Sequence, residues 1–108
     1  MSALGTKLRK LEAGRIAFWC PGCNAAHQIN VFDDPHRQGP LWEYNGNAEA
    51  PTFRPSIFVN PPGRLKNPGA DMCHSFVTDG RVQFLGDSTH WLAGQTVALP
   101  DWPGWGGL

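Results

Sequence analysis

The sequence lacks three features that would assign it to a familiar class of proteins. No apolar run approaches the ~20 residues that span a bilayer. Its charges balance, nine Lys and Arg against nine Asp and Glu, so no overall field attracts nucleic acid or anionic lipid. It has three cysteines, and this odd number argues against a closed disulfide framework. We therefore expect no membrane association.

The N-terminal segment also lacks the apolar core and the cleavage site of a signal peptide, so none is expected. Free thiols persist in the reducing interior of a cell. The three unpaired cysteines therefore predict a cytoplasmic protein whose thiols are available to bind metal.

Long helices have little room in this chain, because it contains thirteen Gly and ten Pro among 108 residues. A domain of this size has a modest core, burying roughly 65% of the surface of the extended chain. A metal ion that cross-links distant segments would stabilise such a fold. We predict one mainly β domain over residues 1–108, a small zinc-stapled antiparallel sheet built of hairpins with long Pro/Gly-rich loops. Residues 1–14 and 103–108 are expected to be loosely ordered.

Alternating polar and apolar residues predict the strands. Residues 15–20 and 26–32 read as a hairpin whose tip is the Cys-Pro-Gly-Cys segment 20–23. Proline fixes one φ angle in that tip, and glycine permits a positive one. Three further candidate strands lie at residues 7–11, 41–44 and 51–59.

The segment 51–59 contains Pro51 and Pro55, which cannot donate ladder hydrogen bonds. It is predicted to be an edge strand, or to pair only from Ser56 onward. The largest loop is expected over residues 60–71, where Pro and Gly recur.

The best-defined hairpin joins residues 73–78 to residues 81–85 through Asp79-Gly80. Asp-Gly between alternating strands is typical of a two-residue type I′ turn. The resulting register predicts that Val77 faces Val82 and that Ser75 faces Phe84. After it, residues 91–95 are expected to form a short helical turn, residues 96–99 a last strand, and residues 100–108 an aromatic tail packed across the sheet or a neighbouring chain.

The cysteine spacing predicts a metal site. Cys20 and Cys23 stand two residues apart in a tight turn, so both sulfurs can reach one ion at about 2.3 Å. Cys73 lies far downstream and is the natural third ligand. Three Cys and one His with no redox motif favour Zn²⁺ over iron.

The fourth ligand is open between two histidines, with His27 as a third alternative. His90 can return to the metal through a tight turn at residues 87–89. His74 adjoins Cys73, and neighbouring strand residues point to opposite faces, so it can bind the same ion only if the strand begins later. Asp87 could accept a hydrogen bond from the non-ligating nitrogen of His90 or His74, or simply stabilise its own turn.

Three sequence blocks carry a resemblance to a known family: residues 18–23 with the Cys-Pro-Gly-Cys turn, residues 51–57, and the Cys-His-Ser-Phe-Val-Thr-Asp-Gly block at 73–80. In this order they resemble a family of small phage- and prophage-encoded proteins, over about residues 15–102. The resemblance implies a phage-linked protein inside the bacterial host cell. Its recurrent pattern includes Cys20, Cys23, His27, Cys73, His74 and His90.

Members of that family often carry the label "ammonia monooxygenase", which the absence of a spanning segment argues against. A more remote resemblance is to bacterial domains with a Cys-rich knuckle, a Pro-Ser-Ile segment and a later Cys near a His. This second resemblance implies that His74, six residues before Gly80, is the ligand.

The sequence favours a non-enzymatic accessory module in which a structural zinc supports the binding of a host or phage partner protein. Four protein ligands close the coordination sphere, so the metal would contribute fold and no chemistry. Five tryptophans offer anchors for a protein partner or for self-association.

Two alternatives stay open. One is a small zinc-dependent hydrolase with three protein ligands and an activated water, in which Asp87, His74 or His27 would be the general base. The other is a module that stacks single-stranded nucleic acid on its aromatic side chains. The balanced charge makes nucleic acid the less favoured partner.

Overall fold

The computed structural model describes residues 2–60 and 71–104, and the statements below concern those residues. They form nine strands and no helix, arranged as two antiparallel sheets. This confirms the predicted mainly β class. The strands are β1 Ser2–Leu4, β2 Leu8–Lys10, β3 Arg15–Cys20, β4 Ala25–Asn30, β5 Glu43–Tyr44, β6 Phe53–Val59, β7 Cys73–Thr78, β8 Arg81–Phe84 and β9 Thr96–Ala98.

The first sheet has the order β1-β2-β3-β4. Its central hairpin joins β3 to β4, with Phe18 opposite His27 and Cys20 opposite Ala25. The predicted hairpin is therefore present, and its tip is the turn that carries Cys23. The positive φ angle near this turn lies on Asn24 rather than on Gly22, which corrects the sequence-based expectation.

The second sheet has the order β5-β6-β7-β8-β9. The β7–β8 register is the predicted one, with Val77 opposite Val82 and Ser75 opposite Phe84. Asp79 and Gly80 both have positive φ angles, 49° and 76°. Two successive positive φ angles are the signature of a type I′ turn, so the local sequence specifies this hairpin.

Strand β6 is irregular where it crosses β7. Phe53 pairs with Val77 and Ile57 pairs with Ser75, so residues 54–56 lie opposite the single residue Phe76. The regular register with β7 begins at Ile57. This is one residue later than Ser56, where the two prolines predicted that pairing would start. Extra residues on one strand bend it and redirect its side chains. This irregularity determines where Ser56 points.

The core lies between the two sheets. Phe18 of the first sheet stacks on Phe53 of the second, with ring centroids 6.0 Å apart. Both rings are at most 1% exposed, and burying each contributes roughly 1.5–3 kcal/mol. The other buried apolar side chains around them are those of Leu8, Ile16, Cys20, Ile29, Ile57, Cys73, Val77, Val82, Phe84, Leu92 and Leu99.

The C-terminal part of the chain differs in one respect from expectation. Residues 91–95 form turns and no helix, with the backbone N–H of Gln95 donating to the carbonyl of Leu92. The tail packs on the first sheet through Trp102, whose ring meets that of Trp19 edge to face at 5.8 Å. Most of the predicted large loop, residues 61–70, lies outside the described residues, as do residues 105–108.

Among the described residues there is no helix long and apolar enough to cross a membrane.

Candidate functional site

Four side chains that can bind a metal ion converge between the two sheets. Cys20 ends β3, Cys23 lies in the following turn, Cys73 begins β7 and His90 lies in the loop after β8. One donor atom from each lies within 4.8 Å of the other three. Three of the four residues are buried, and Cys23 is half-buried. The cluster therefore joins the first sheet to the second.

The spacing of the donor atoms fits a tetrahedral ion. The sulfurs of Cys20 and Cys73 are 3.9 Å apart, and Nε2 of His90 lies 3.4 Å from the Cys73 sulfur. Three sulfurs at about 2.3 Å from one tetrahedral ion are about 3.8 Å from one another. These residues could thus hold a metal ion with little rearrangement.

The close approach of the His90 ring explains why position 22 is a glycine. A methyl group on Gly22 would overlap the ring atoms of His90. Backbone of the Cys-Pro-Gly-Cys turn therefore lies directly against the imidazole, and a larger residue would displace the ring from the cluster. The turn holds its own two cysteines and also fixes the fourth donor.

Charge within the cluster favours a cation. Hydrogen bonds from Cys23 and Cys73 lower the pKa of the Cys20 thiol. The same contact with Cys20 raises the pKa of Cys23 to about 12 and raises that of Cys73. Negative charges this close repel one another, so three thiolates without a cation are unfavourable in this cluster. A divalent ion that binds three thiolates would displace the remaining protons.

His74 does not join this cluster. It follows Cys73 along β7, and successive side chains of a strand point to opposite faces. Cys73 is buried on the inner face, whereas the His74 side chain is 20% exposed on the outer face. His27 is not among the four either; its ring packs edge to face on Phe18 at 5.6 Å.

The outer face carries a second constellation, centred on His74. Its Nε2 lies 3.0 Å from Oγ of Ser56, and its Nδ1 lies 3.0 Å from Oδ2 of Asp87. An ionised carboxylate can only accept, so Nδ1 donates to Asp87 and Nε2 is left to accept from the Ser56 hydroxyl. Asp87 was predicted to accept a hydrogen bond from His90 or His74, and in the structure its partner is His74.

This order of groups, hydroxyl to imidazole to carboxylate, is that of a serine nucleophile with its base. The imidazole can take the hydroxyl proton as the oxygen attacks a carbonyl, and the carboxylate keeps the ring in the required tautomer. Phe58 supports the ring from one side, stacked at 4.3 Å and tilted by 7°. Ser56 is half-buried and Asp87 is 52% exposed, so the site is open to a substrate.

Three separate elements position the triad. Ser56 lies in the irregular part of β6, His74 lies on β7, and Asp87 lies in the loop after β8. The neighbouring Ser88 fixes that loop to β7, because its Oγ accepts from the backbone N–H of His74 at 3.0 Å and donates to the His74 carbonyl at 3.1 Å. Cys73 and His90 of the cluster flank His74, Asp87 and Ser88 in sequence.

Ser56 is a candidate functional residue that sequence reasoning missed. Nothing local distinguishes its hydroxyl from that of a strand serine in Pro-Ser-Ile. The available signal was His74 on the strand face opposite Cys73, together with a Ser on one predicted strand and Asp87 in the turn after another. The register of β6 against β7 was needed to bring Ser56 to His74.

Comparison with known proteins identifies a family. A family model described as "Bacterial ubiquitination-like system serine protease (BubE)" matches residues 4–85. No curated protein and no solved structure matches the chain. The matched range includes Ser56, His74 and three of the four cluster residues, and it ends two residues before Asp87. The link to phage stays a prediction.

Proposed function

The chain belongs to the BubE family of bacterial ubiquitination-like system serine proteases, and we propose that it is a serine peptidase with Ser56 as nucleophile. In this proposal His74 is the general base and Asp87 orients the imidazole. The observation that carries it is the pair of 3.0 Å contacts on the two nitrogens of His74.

The reaction follows from these contacts. Oγ of Ser56 attacks a peptide carbonyl while Nε2 of His74 takes the hydroxyl proton. The same nitrogen returns the proton to the leaving amine as the C–N bond breaks, which leaves an acyl group on Ser56. His74 then activates a water that cleaves the ester. Asp87 stabilises the imidazolium at each proton transfer.

The cluster of Cys20, Cys23, Cys73 and His90 has a separate role in this proposal. Three thiolates and one imidazole are a donor set that suits structural Zn²⁺. With four protein donors no open position is needed for a reacting water. The bound ion therefore supplies cross-linking, and the chemistry belongs to the triad.

This proposal changes the functional hypothesis drawn from the sequence. A zinc-activated water is not favoured, because the cluster offers four donors and His74 bonds Ser56 instead. The predicted partner protein becomes a polypeptide substrate. We propose that it is a protein of the bacterial ubiquitination-like system for which the family is named. A cytoplasmic location agrees with free cysteines; self-association stays a prediction.

The test is hydrolysis by matched variants. Purified protein is assayed with p-nitrophenyl acetate and with unfolded casein. Ser56→Ala and His74→Gln are expected to lower kcat/KM by about 10³-fold or more, and Asp87→Asn by about 10²-fold or more. His36→Gln is the control, because His36 is exposed in a loop and its ring lies outside both sites.

Metal content and melting temperature accompany each assay, so that a misfolded variant is recognised. Full activity in a folded Ser56→Ala protein would overturn the proposal.

A further inference from the structure

Exposed apolar side chains gather around the triad. Among the described residues five large apolar side chains are exposed, and three of them lie on the second sheet or beside it near the triad: Leu41, Phe58 and Phe76 at 37–40% exposure. Phe58 stacks on the His74 ring. Phe76 lies opposite the irregular stretch of β6 that carries Ser56. Exposed apolar side chains that gather in one region often mark a binding surface.

A groove opens beside Ser56 within this surface. Its volume is about 520 Å³, and its walls include Leu41, Pro55, Phe76 and Thr78. Pro55 is the residue directly before Ser56 in the chain. Phe76 shares the outer face of β7 with His74, and residues two apart on a strand are separated by about 7 Å. The groove therefore begins one residue from the nucleophile.

The charges at the groove cancel. Glu43 and Arg54 both line it, and they are directly opposite each other across β5 and β6. A carboxylate beside a guanidinium leaves little net field to select an acidic or a basic side chain. The selective part of the groove is its apolar wall.

We propose that this groove, named here the Phe76 groove, binds an apolar side chain of the polypeptide substrate within two residues of the bond that is cleaved. The assignment rests on the proposed peptidase function. Burial of that side chain against Phe76 and Leu41 holds the scissile carbonyl near Ser56, since binding energy remote from the reacting atoms positions them.

The experiment uses the full chain and a set of peptides in which the residues around the centre are varied systematically. Cleavage positions are read by mass spectrometry, and kcat/KM is measured for the best sequences. Leu, Met or Phe within two residues of the cut is expected to be favoured over Asp or Lys by about tenfold or more. Phe76→Ala reduces that preference about tenfold, whereas Phe76→Leu retains most of it.

The matched control is Phe32→Ala, since Phe32 is exposed to a similar extent but contacts Lys10 on the first sheet. It is expected to leave the preference unchanged. Hydrolysis of p-nitrophenyl acetate, which has no side chain to bind, reports on Ser56 alone. Equal cleavage of apolar and charged sequences by a protein that hydrolyses this ester would overturn the groove assignment and leave the peptidase proposal intact. Loss of the peptidase proposal itself would appear as ester hydrolysis that Ser56→Ala does not reduce.

Discussion

At the scale of single residues, the neighbours Cys73 and His74 belong to two different candidate sites. The alternation of side chains along β7 sends Cys73 into the cluster between the sheets and His74 to the outer face. The alternation could be predicted from the sequence, and it allowed His74 as a ligand only if the strand began later. The second role of His74 could not be predicted, because it depends on Ser56 of a strand seventeen residues upstream of Cys73.

Ser88 is expected to position the catalytic imidazole. Its hydroxyl bonds both the N–H and the carbonyl of the His74 peptide, so it holds the loop that carries Asp87 at a fixed distance from the ring. Ser88→Ala removes both bonds. We expect kcat to fall about tenfold with KM nearly unchanged, and the free energy of unfolding to fall by about 1–2 kcal/mol.

The conservative variant separates positioning from simple destabilisation. Ser88→Thr keeps a hydroxyl and should recover most of kcat in steady-state ester hydrolysis. A Ser88→Ala protein that loses stability but keeps the full kcat would show that Ser88 is merely structural.

At the scale of elements, the two hairpins differ in how far the sequence specifies them. Asp79 and Gly80 both tolerate the positive φ angles of a type I′ turn, so the local sequence specifies the turn. The turn then fixes the β7–β8 register. No local sequence signal specifies the irregular stretch of β6. Pro55 removes a donor and predicts weak pairing, but the residue opposite Ser56 depends on β7. Packing across the chain, rather than local preference, therefore creates the contact with His74.

The turn between β3 and β4 supplies a prediction for the metal site. A methyl group on Gly22 would overlap the His90 ring, so Gly22→Ala should displace the fourth donor and weaken metal binding about tenfold or more. Competition with a chromophoric chelator measures the change in affinity. Gly104→Ala is the matched control, because a methyl group there meets open space.

If Gly22→Ala bound metal as tightly as the unchanged protein, His90 would not be held by this turn.

At the scale of the whole molecule, the cluster adds a polar connection between the two sheets at the edge of the space that the apolar core fills. Cys20 and Cys23 come from the first sheet and its turn, while Cys73 and His90 come from the second sheet and its loop. Sequence spacing predicted that two distant segments share one ion, but it left the fourth donor open between His90 and His74. Cys73 and His90 also flank His74 and Asp87 in sequence. The metal is therefore expected to stabilise the fold and the triad together.

Removal of the metal tests this connection. Treatment with a strong chelator should lower the free energy of unfolding by several kcal/mol, because a structural zinc contributes a large part of the stability of a small domain. Ester hydrolysis should be lost in parallel, and both should return when Zn²⁺ is added. Melting curves and hydrolysis rates are recorded on the same samples. Ser56→Ala is the control, because it should show the same change in melting without any activity.

A chelated protein that melts at the original temperature and hydrolyses at the original rate would contradict the connection between cluster and triad.

The central claim is that His74 activates the hydroxyl of Ser56. The most direct measurement is reaction with a fluorophosphonate, followed by mass spectrometry of the proteolytic digest. The account predicts one phosphonyl adduct, located on Ser56, whose formation is slowed strongly by His74→Gln and is absent from Ser56→Ala. An intact protein that stays unlabelled, or an adduct on another residue such as Ser75 or Ser88, would contradict it.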